Sequence, residues 1–227
     1  MTPMPGARLR KRVIRHHLPL LILSSSGAAA LYFTRTYPDV LTRLSFSTAY
    51  PAMIFLGFTL LTGPWNLLCR RGNPVSSDLR RDVGIWAGIL GIAHTAVGQC
   101  VHLRGRPWLY YLYGAREHHR GLRHDLFGFA NYTGAIAVVL LAVLLATSND
   151  YSLRRLGSTG WKSLQRWNYA LFALAAAHAV GYLVIEKQKI PFDATIAVCI
   201  VLTVIMQITG FAVRSQTRSL RKVAAGR

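Results

Sequence analysis

Two histidines, His94 and His178, lie inside long apolar stretches and have nearly the same neighbours. His94 belongs to the segment AHTAVG (93–98) and His178 to the segment AHAVG (177–181). An ionisable side chain in an apolar membrane interior costs several kcal/mol, so such residues are usually retained for a function. This pair is therefore the first candidate for chemistry.

Two imidazoles at one depth of a helix bundle are compatible with three arrangements. They can hydrogen-bond to each other or to the backbone, relay protons, or bind a haem iron from both sides through Nε2. Small residues occupy the same helix face about one turn from the histidines: Gly91, Gly98, Ala175 and Gly181. A flat macrocycle needs such a strip, although small residues also mediate plain helix packing in membranes. The pattern favours haem over the other readings.

The elements that hold these histidines are long segments without Asp, Glu, Lys or Arg. Each has about 17–26 residues, which is enough for a helix to cross a hydrocarbon core of roughly 30 Å. The segments are Leu18–Thr34, Leu44–Cys69, Val83–Leu103, Leu126–Asn149, Trp167–Ile185 and Ala194–Val213. We expect an all-α integral membrane fold, a six-transmembrane-helix bundle over 18–213, with basic segments at 1–17 and 214–227.

The third and fifth segments run parallel in such a bundle. Counted from the outer ends of their segments at 1.5 Å per residue, His94 and His178 lie about 13 and 10 Å deep. We therefore predict that the two imidazoles meet at one level near the outer face.

Charge orients the bundle and narrows the partners. The formal net charge is +19, and 18 of the 27 Lys and Arg residues fall on one side if the N-terminus is inside. By the positive-inside rule we expect both termini in the cytoplasm, most naturally of a bacterial inner membrane. The basic residues suit contact with anionic lipids, and we expect no nucleic-acid partner. The alternative, a cleaved signal peptide at the N-terminus, suits the long retained apolar segment less well.

Other cofactor signatures are missing from the sequence. Cys69, Cys100 and Cys199 are scattered, without the spacing of a disulfide framework, a zinc site or a covalent haem attachment. The sequence contains no GxGxxG, P-loop or HExxH motif. If the histidine pair binds haem, the haem is therefore expected to be non-covalent, as in b-type haem proteins.

Two stretches carry a resemblance to a known family. RRDVGIWAGILGIAHTAVG (80–98) and WKSLQRWNYALFALAAAHAV (161–180) resemble the third and fifth spans of the ferric reductase-like transmembrane domain family, most closely a haem-binding membrane subunit within it. The likeness extends over about Leu44 to Val213. It implies a b-type haem domain that passes electrons across the membrane, with His94 and His178 as axial ligands of the iron.

The chain departs from this family at the cytoplasmic side. Many members bind a second haem through histidines 13 or 14 residues further inward, where this chain has Arg80 or Arg81 and Gln165 or Leu164. We therefore expect one haem. No flavin or nicotinamide domain follows the sixth segment, so we expect flavin only through a partner.

Several other residues are secondary candidates. Arg104 and Arg106 follow the third segment where haem propionates would lie, and we assign them as propionate partners. His102, placed about 80° around the helix from His94, is expected at the interface rather than on iron. Asn131 is expected to bond a neighbouring helix. Three further histidines, which form a basic loop or a docking patch for an acidic acceptor, are His118, His119 and His124.

The sequence thus predicts a membrane haem protein that passes electrons to an acceptor at the outer face. Quinol or a cytoplasmic flavoprotein is the expected donor, and a periplasmic protein is a possible partner. One alternative is a reductase of ferric iron or another small substrate that works with a separate flavin protein. Another is a transporter or assembly protein that uses the histidine pair, although intramembrane carboxylates, usual in proton carriers, are missing from the six segments.

Overall fold

A computed structural model describes residues 5–34, 37–69, 76–103, 106–115, 121–187 and 190–225, and this part of the chain is almost entirely helical. Its α-helices are α1 (Pro5–Arg12), α2 (Leu18–Thr34), α3 (Val40–Leu68), α4 (Ser77–Gly98), α5 (Leu126–Ala146), α6 (Asp150–Gln165), α7 (Asn168–Glu186) and α8 (Ile190–Ala225). A π-helical turn (Val13–His17) joins α1 to α2, and a 3-10 turn (Pro107–Tyr110) precedes α5. The only β-pairing among the described residues is an isolated bridge between Leu112 and Leu122.

Five helical stretches are long and apolar enough to cross a membrane: Leu9–Thr34, Val40–Leu68, Leu126–Ala146, Asp150–Glu186 and Pro191–Thr217. The chain is thus an all-helical, multi-pass membrane protein. The third predicted span, now α4, has 22 residues but is not among the five. Its first two turns contain Asp78, Arg80, Arg81 and Asp82, which lower its mean hydropathy.

Helix starts follow local capping chemistry. Four residues each accept a backbone N–H from the residue three positions further on, at 2.7–3.1 Å: Asp39, Ser76, Asp125 and Asn149. Such caps satisfy N–H groups that have no partner within the helix, each worth roughly 0.5–2 kcal/mol. These polar residues therefore fix where α3, α4, α5 and α6 begin.

Helix α3 is the centre of the bundle and contacts α2, α4, α7 and α8, while α5 packs along α7. Pro51 and Pro64 lie inside α3. A proline has no N–H to bond the carbonyl four residues earlier. The Leu60 carbonyl, which Pro64 leaves without that partner, instead accepts the Gln207 side-chain amide of α8 at 2.7 Å.

The predicted third span is wrong at its outer end, because α4 stops at Gly98 rather than continuing to Leu103. In a continued helix the Gly98 carbonyl would bond the His102 N–H. The Tyr110 hydroxyl lies between these two groups instead, donating to Gly98 O at 3.0 Å and accepting from His102 N at 2.9 Å. Residues 99–103 therefore turn across the outer end of the bundle.

Candidate functional site

A cavity of about 420 Å³ lies among α3, α4, α5, α7 and α8. Most of its lining is small or apolar. The polar and ionisable lining residues are Thr42, Ser45, Tyr50, His94, Thr95, Gln99, His102, Tyr110, Tyr111, Asn131, His178, Tyr182 and Glu186. The cavity therefore has an apolar body with histidines from two helices and a more polar end toward the outer turn.

His94 of α4 and His178 of α7 meet across this cavity. Their ring centroids are 6.0 Å apart and the ring planes are inclined by 71°. Both residues are half-buried and line the cavity. The fold thus brings together two residues that are 84 positions apart in the sequence.

Each imidazole is held through Nδ1 by a backbone carbonyl. His94 Nδ1 lies 3.0 Å from the Ser45 carbonyl oxygen of α3, and His178 Nδ1 lies 2.8 Å from the Ala130 carbonyl oxygen of α5. A carbonyl only accepts hydrogen bonds, so Nδ1 of each ring bears the hydrogen and Nε2 keeps its lone pair. This is the orientation in which a protein presents Nε2 to a metal.

A threonine three residues further on also reaches each accepting carbonyl. The Thr133 hydroxyl donates to Ala130 O at 2.8 Å. The Thr48 hydroxyl lies 3.0 Å from Ser45 O and closer, at 2.8 Å, to Leu44 O. Sequence patterns do not single out these residues, because carbonyl acceptors have no side-chain signature.

The donor set bears on the three predicted arrangements. Both imidazoles bond to backbone carbonyls, which is one of those arrangements. Two neutral imidazoles that both carry hydrogen on Nδ1 have no Nε2–H to donate, so they cannot hydrogen-bond directly to each other, and both Nε2 lone pairs are left to bind a metal or to accept a proton. One metal bound by two Nε2 atoms requires a centroid spacing of about 6 Å, from bonds of roughly 2 Å and about 1 Å more to each ring centre. The centroid spacing of 6.0 Å is compatible with such a shared metal.

Among the described residues, no group of three His, Cys, Asp or Glu side chains is arranged to hold a metal ion. The histidine pair alone offers two ligands, fewer than a bare ion needs. A haem supplies the remaining four nitrogens itself, so the residues present fit a haem better than a free metal ion.

The glycines near the pair have different roles. Gly91, Gly98 and Ala175 line the cavity. The bare side of Gly91 is filled by α5, however, because an added Cβ would lie 2.6 Å from Leu141 Cδ2. Gly181 likewise packs on α5, where an added Cβ would lie 2.8 Å from Ala130 Cβ. An unpredicted glycine, Gly134 of α5, lines the cavity beside the His178 ring.

The outer end of the cavity is a polar and aromatic cluster. His102 Nε2 lies 3.3 Å from Glu186 Oε1, and the His102 ring stacks on Tyr182 at 5.9 Å. The Tyr182 hydroxyl donates to Asn131 Oδ1 at 2.9 Å, which confirms that Asn131 bonds a neighbouring helix. Burial raises the pKa of Tyr110, which therefore stays protonated as the donor to Gly98. The helical angle predicted between His102 and His94 is wrong, because His102 lies beyond the end of α4.

Of the two predicted propionate partners, Arg104 and Arg106, the structure describes only Arg106. Arg106 is exposed and lies outside the cavity lining. Arg104, His118 and His119 lie outside the described residues. Nearby, hydrogen bonds from Arg123 hold the pKa of the Asp125 carboxyl below its usual value.

The positions 13 or 14 residues before His94 and His178, where a second haem would need histidines, hold other residues. Arg80 Nε donates to the Thr59 carbonyl at 3.2 Å, and its guanidinium lies against Gly63 of α3. Gln165 is the last residue of α6, and its Oε1 accepts the Asn168 amide at 3.1 Å. Neither side chain is a usual haem ligand.

Known proteins offer two comparisons. An uncharacterized protein of Treponema pallidum (strain Nichols) is 30% identical over 154 residues, 67% of this chain, and the chain spans only 38% of that protein's length. The protein-methionine-sulfoxide reductase heme-binding subunit of Bordetella pertussis (strain Tohama I) is 29% identical over 188 residues, covering 77% of this chain and 81% of that subunit. No family model matches the chain. The chain is therefore a distant relative of this heme-binding subunit.

Proposed function

We propose that the chain is a membrane electron-transfer subunit that binds one b-type haem between His94 and His178. The observation that carries the proposal is the pair of imidazoles 6.0 Å apart, each with Nδ1 bonded to a carbonyl. The distant relative named as a heme-binding subunit supports the same cofactor. The haem would supply reversible one-electron chemistry.

The residues of the chain then have three tasks. Ser45 and Ala130 carbonyls fix the two ring orientations, and the small residues Gly98 and Ala175 in the lining leave room for a flat group. The apolar helices exclude water from the centre. The cluster of His102, Glu186 and Tyr182 marks the side on which the site is closest to the aqueous phase.

The topology we propose has α2, α3, α4, α5, α7 and α8 as six spans, with both termini in the cytoplasm of a bacterial inner membrane. Helix α4 counts as the sixth span because it is 22 residues long, about 33 Å, and is packed between α3 and α5. The electron acceptor is then at the outer face, on a periplasmic partner. The donor is quinol or a cytoplasmic flavoprotein, which would bring any flavin.

One spectrum tests the proposal. The purified, dithionite-reduced protein should show a low-spin, six-coordinate b-type haem that does not bind carbon monoxide, because two imidazoles occupy both axial positions. Haem quantified per chain should be close to one. A colourless protein from haem-replete cells would overturn the proposal and leave a non-redox role for the histidine pair.

A further inference from the structure

Gly134 lies on α5 one helical turn after Ala130, directly beside the imidazole of His178. A Cβ atom added at Gly134 would lie 2.6 Å from His178 Nδ1 and 2.9 Å from its Cε1. Real Cβ atoms essentially never approach other heavy atoms below 3.0 Å. A side chain of any size at position 134 would therefore displace the ring.

From this contact we infer that Gly134 is a positioning residue for His178. The missing side chain allows the imidazole to lie across the α5 backbone and to donate Nδ1–H to the Ala130 carbonyl, which leaves Nε2 for the cavity. The inference rests on the proposed function in one respect, that the group bound by Nε2 is a haem. The hydrogen bond from His178 to Ala130 is a property of the protein without cofactor and does not depend on the proposed function.

The ring has little freedom to move away from an added methyl group. Tyr182, one turn further along α7, has its ring centroid 4.9 Å from that of His178, and its hydroxyl is fixed by Asn131. The His94 ring is 6.0 Å away on the cavity side. Displacement from Gly134 therefore lengthens the bond to Ala130 or moves Nε2.

A second glycine cannot serve as a control. Gly181 of α7 faces Ala130 of α5, whose carbonyl holds His178, so Gly181→Ala would disturb the same hydrogen bond by separating the two helices. Gly84→Ala of α4 is a mild control, since its Cβ would meet Thr59 at an ordinary 3.7 Å.

Helix propensity argues against a loss of α5 stability as the cause of any effect of Gly134→Ala. Alanine is favoured over glycine by about 1 kcal/mol in a helix interior, so Gly134→Ala does not weaken α5 itself. Loss of haem binding without loss of helix content would therefore show that the His178 ring has moved.

The experiment uses the full chain in detergent, with and without haem. In the haem-free protein, nitrogen-15 NMR of labelled histidines should show His178 in the Nδ1–H tautomer, and Gly134→Ala should lose this state. On titration with haem, Gly134→Ala should bind about 10–100-fold more weakly and show a high-spin fraction. Gly84→Ala should keep the wild-type spectrum.

The outcomes are distinguishable. Wild-type haem affinity and a wild-type low-spin signal in Gly134→Ala would overturn the inference, as would an equal loss in Gly84→Ala. If Gly134→Ala does not accumulate, the tautomer in the wild-type protein decides, because an Nε2–H form of His178 contradicts the bond to Ala130. A wild-type chain that binds no haem would instead contradict the proposed function while the NMR test stands.

Discussion

At the scale of residues, His94 and His178 at the centre of this protein are held by the same kind of hydrogen bond. A histidine from one helix donates Nδ1–H to a carbonyl on a neighbouring helix, and a threonine hydroxyl lies within hydrogen-bond distance of the same oxygen. A helical carbonyl has two lone pairs, so it can accept the imidazole N–H in addition to its helix partner. The imidazoles are therefore oriented by backbone carbonyls rather than by side-chain acceptors.

Removal of either imidazole should abolish haem binding. His94→Ala and His178→Ala leave one axial ligand each, whereas His102→Ala removes a side chain that pairs with Glu186 outside the histidine pair. We expect wild-type haem content only in His102→Ala, measured as haem per purified chain. Normal haem content in His94→Ala would show that another residue is the ligand.

At the scale of elements, the N-terminal helix is attached to α4 by one buried carboxylate. Asp82 is fully buried, forms an ion pair with Arg12, and accepts from His16 Nδ1 at 2.7 Å. His17, bonded by the Trp86 indole, lies 3.4 Å from the same carboxylate. The π-helical turn over Val13–His17 places both histidines on this side.

Asp82→Asn should detach this segment. It leaves the Arg12 guanidinium, which is only 15% exposed, without its counter-charge, and breaking a buried pair costs roughly 3–5 kcal/mol. Thermal unfolding and protease cleavage near residue 12 are the measurements. Asp150→Asn is the comparison, because Asp150 is 51% exposed and its partner Arg81, itself only 9% exposed, keeps Asp78 at 3.8 Å, so a smaller loss is expected. Equal stability of the two variants would contradict the attachment.

Helix α3 depends on α8 at Pro64. Gln207→Leu leaves the Leu60 carbonyl without a partner and should cost roughly 1 kcal/mol of unfolding free energy. In a Pro64→Ala background the restored N–H bonds that carbonyl, so Gln207→Leu should cost less. A double-mutant cycle measures this difference, and a coupling energy of zero would refute the compensation.

At the scale of the whole molecule, the two ends of the bundle differ in chemistry. The outer end holds the histidine pair and its aromatic cluster, whereas the inner end holds Arg80, Gln165 and the Asp82 ion pairs. This asymmetry predicts a single haem near one face.

Gln165→His should not create a second haem site. Gln165 ends α6 beside Asn168, and Arg80 points to the Thr59 carbonyl, so no second ligand stands opposite a new histidine. Haem per chain should remain near one in this variant, as in the wild type. Two haems in either protein would contradict the asymmetry.

Native cysteines can report the orientation. Cys100 is exposed in the outer turn, and Cys69 ends α3 at the opposite end of the bundle. In intact cells a membrane-impermeant maleimide should label Cys100 and leave Cys69 unlabelled until the membrane is opened. The reverse pattern would place both termini outside.

The sequence by itself determined the helical, multi-pass architecture, since long uncharged segments can satisfy their backbone only as helices in a membrane. It also singled out His94 and His178, because ionisable residues in such segments are rare. It was wrong about the end of α4, since the Tyr110 hydroxyl that replaces the next helical bond comes from a distant turn. Only the tertiary structure decided how the imidazoles are held, because the Ser45 and Ala130 carbonyls and the space left by Gly134 belong to other helices. Which backbone carbonyl accepts from a histidine, and which glycine leaves space for its ring, depends on contacts between helices that are distant in the sequence. No local sequence pattern predicts such contacts.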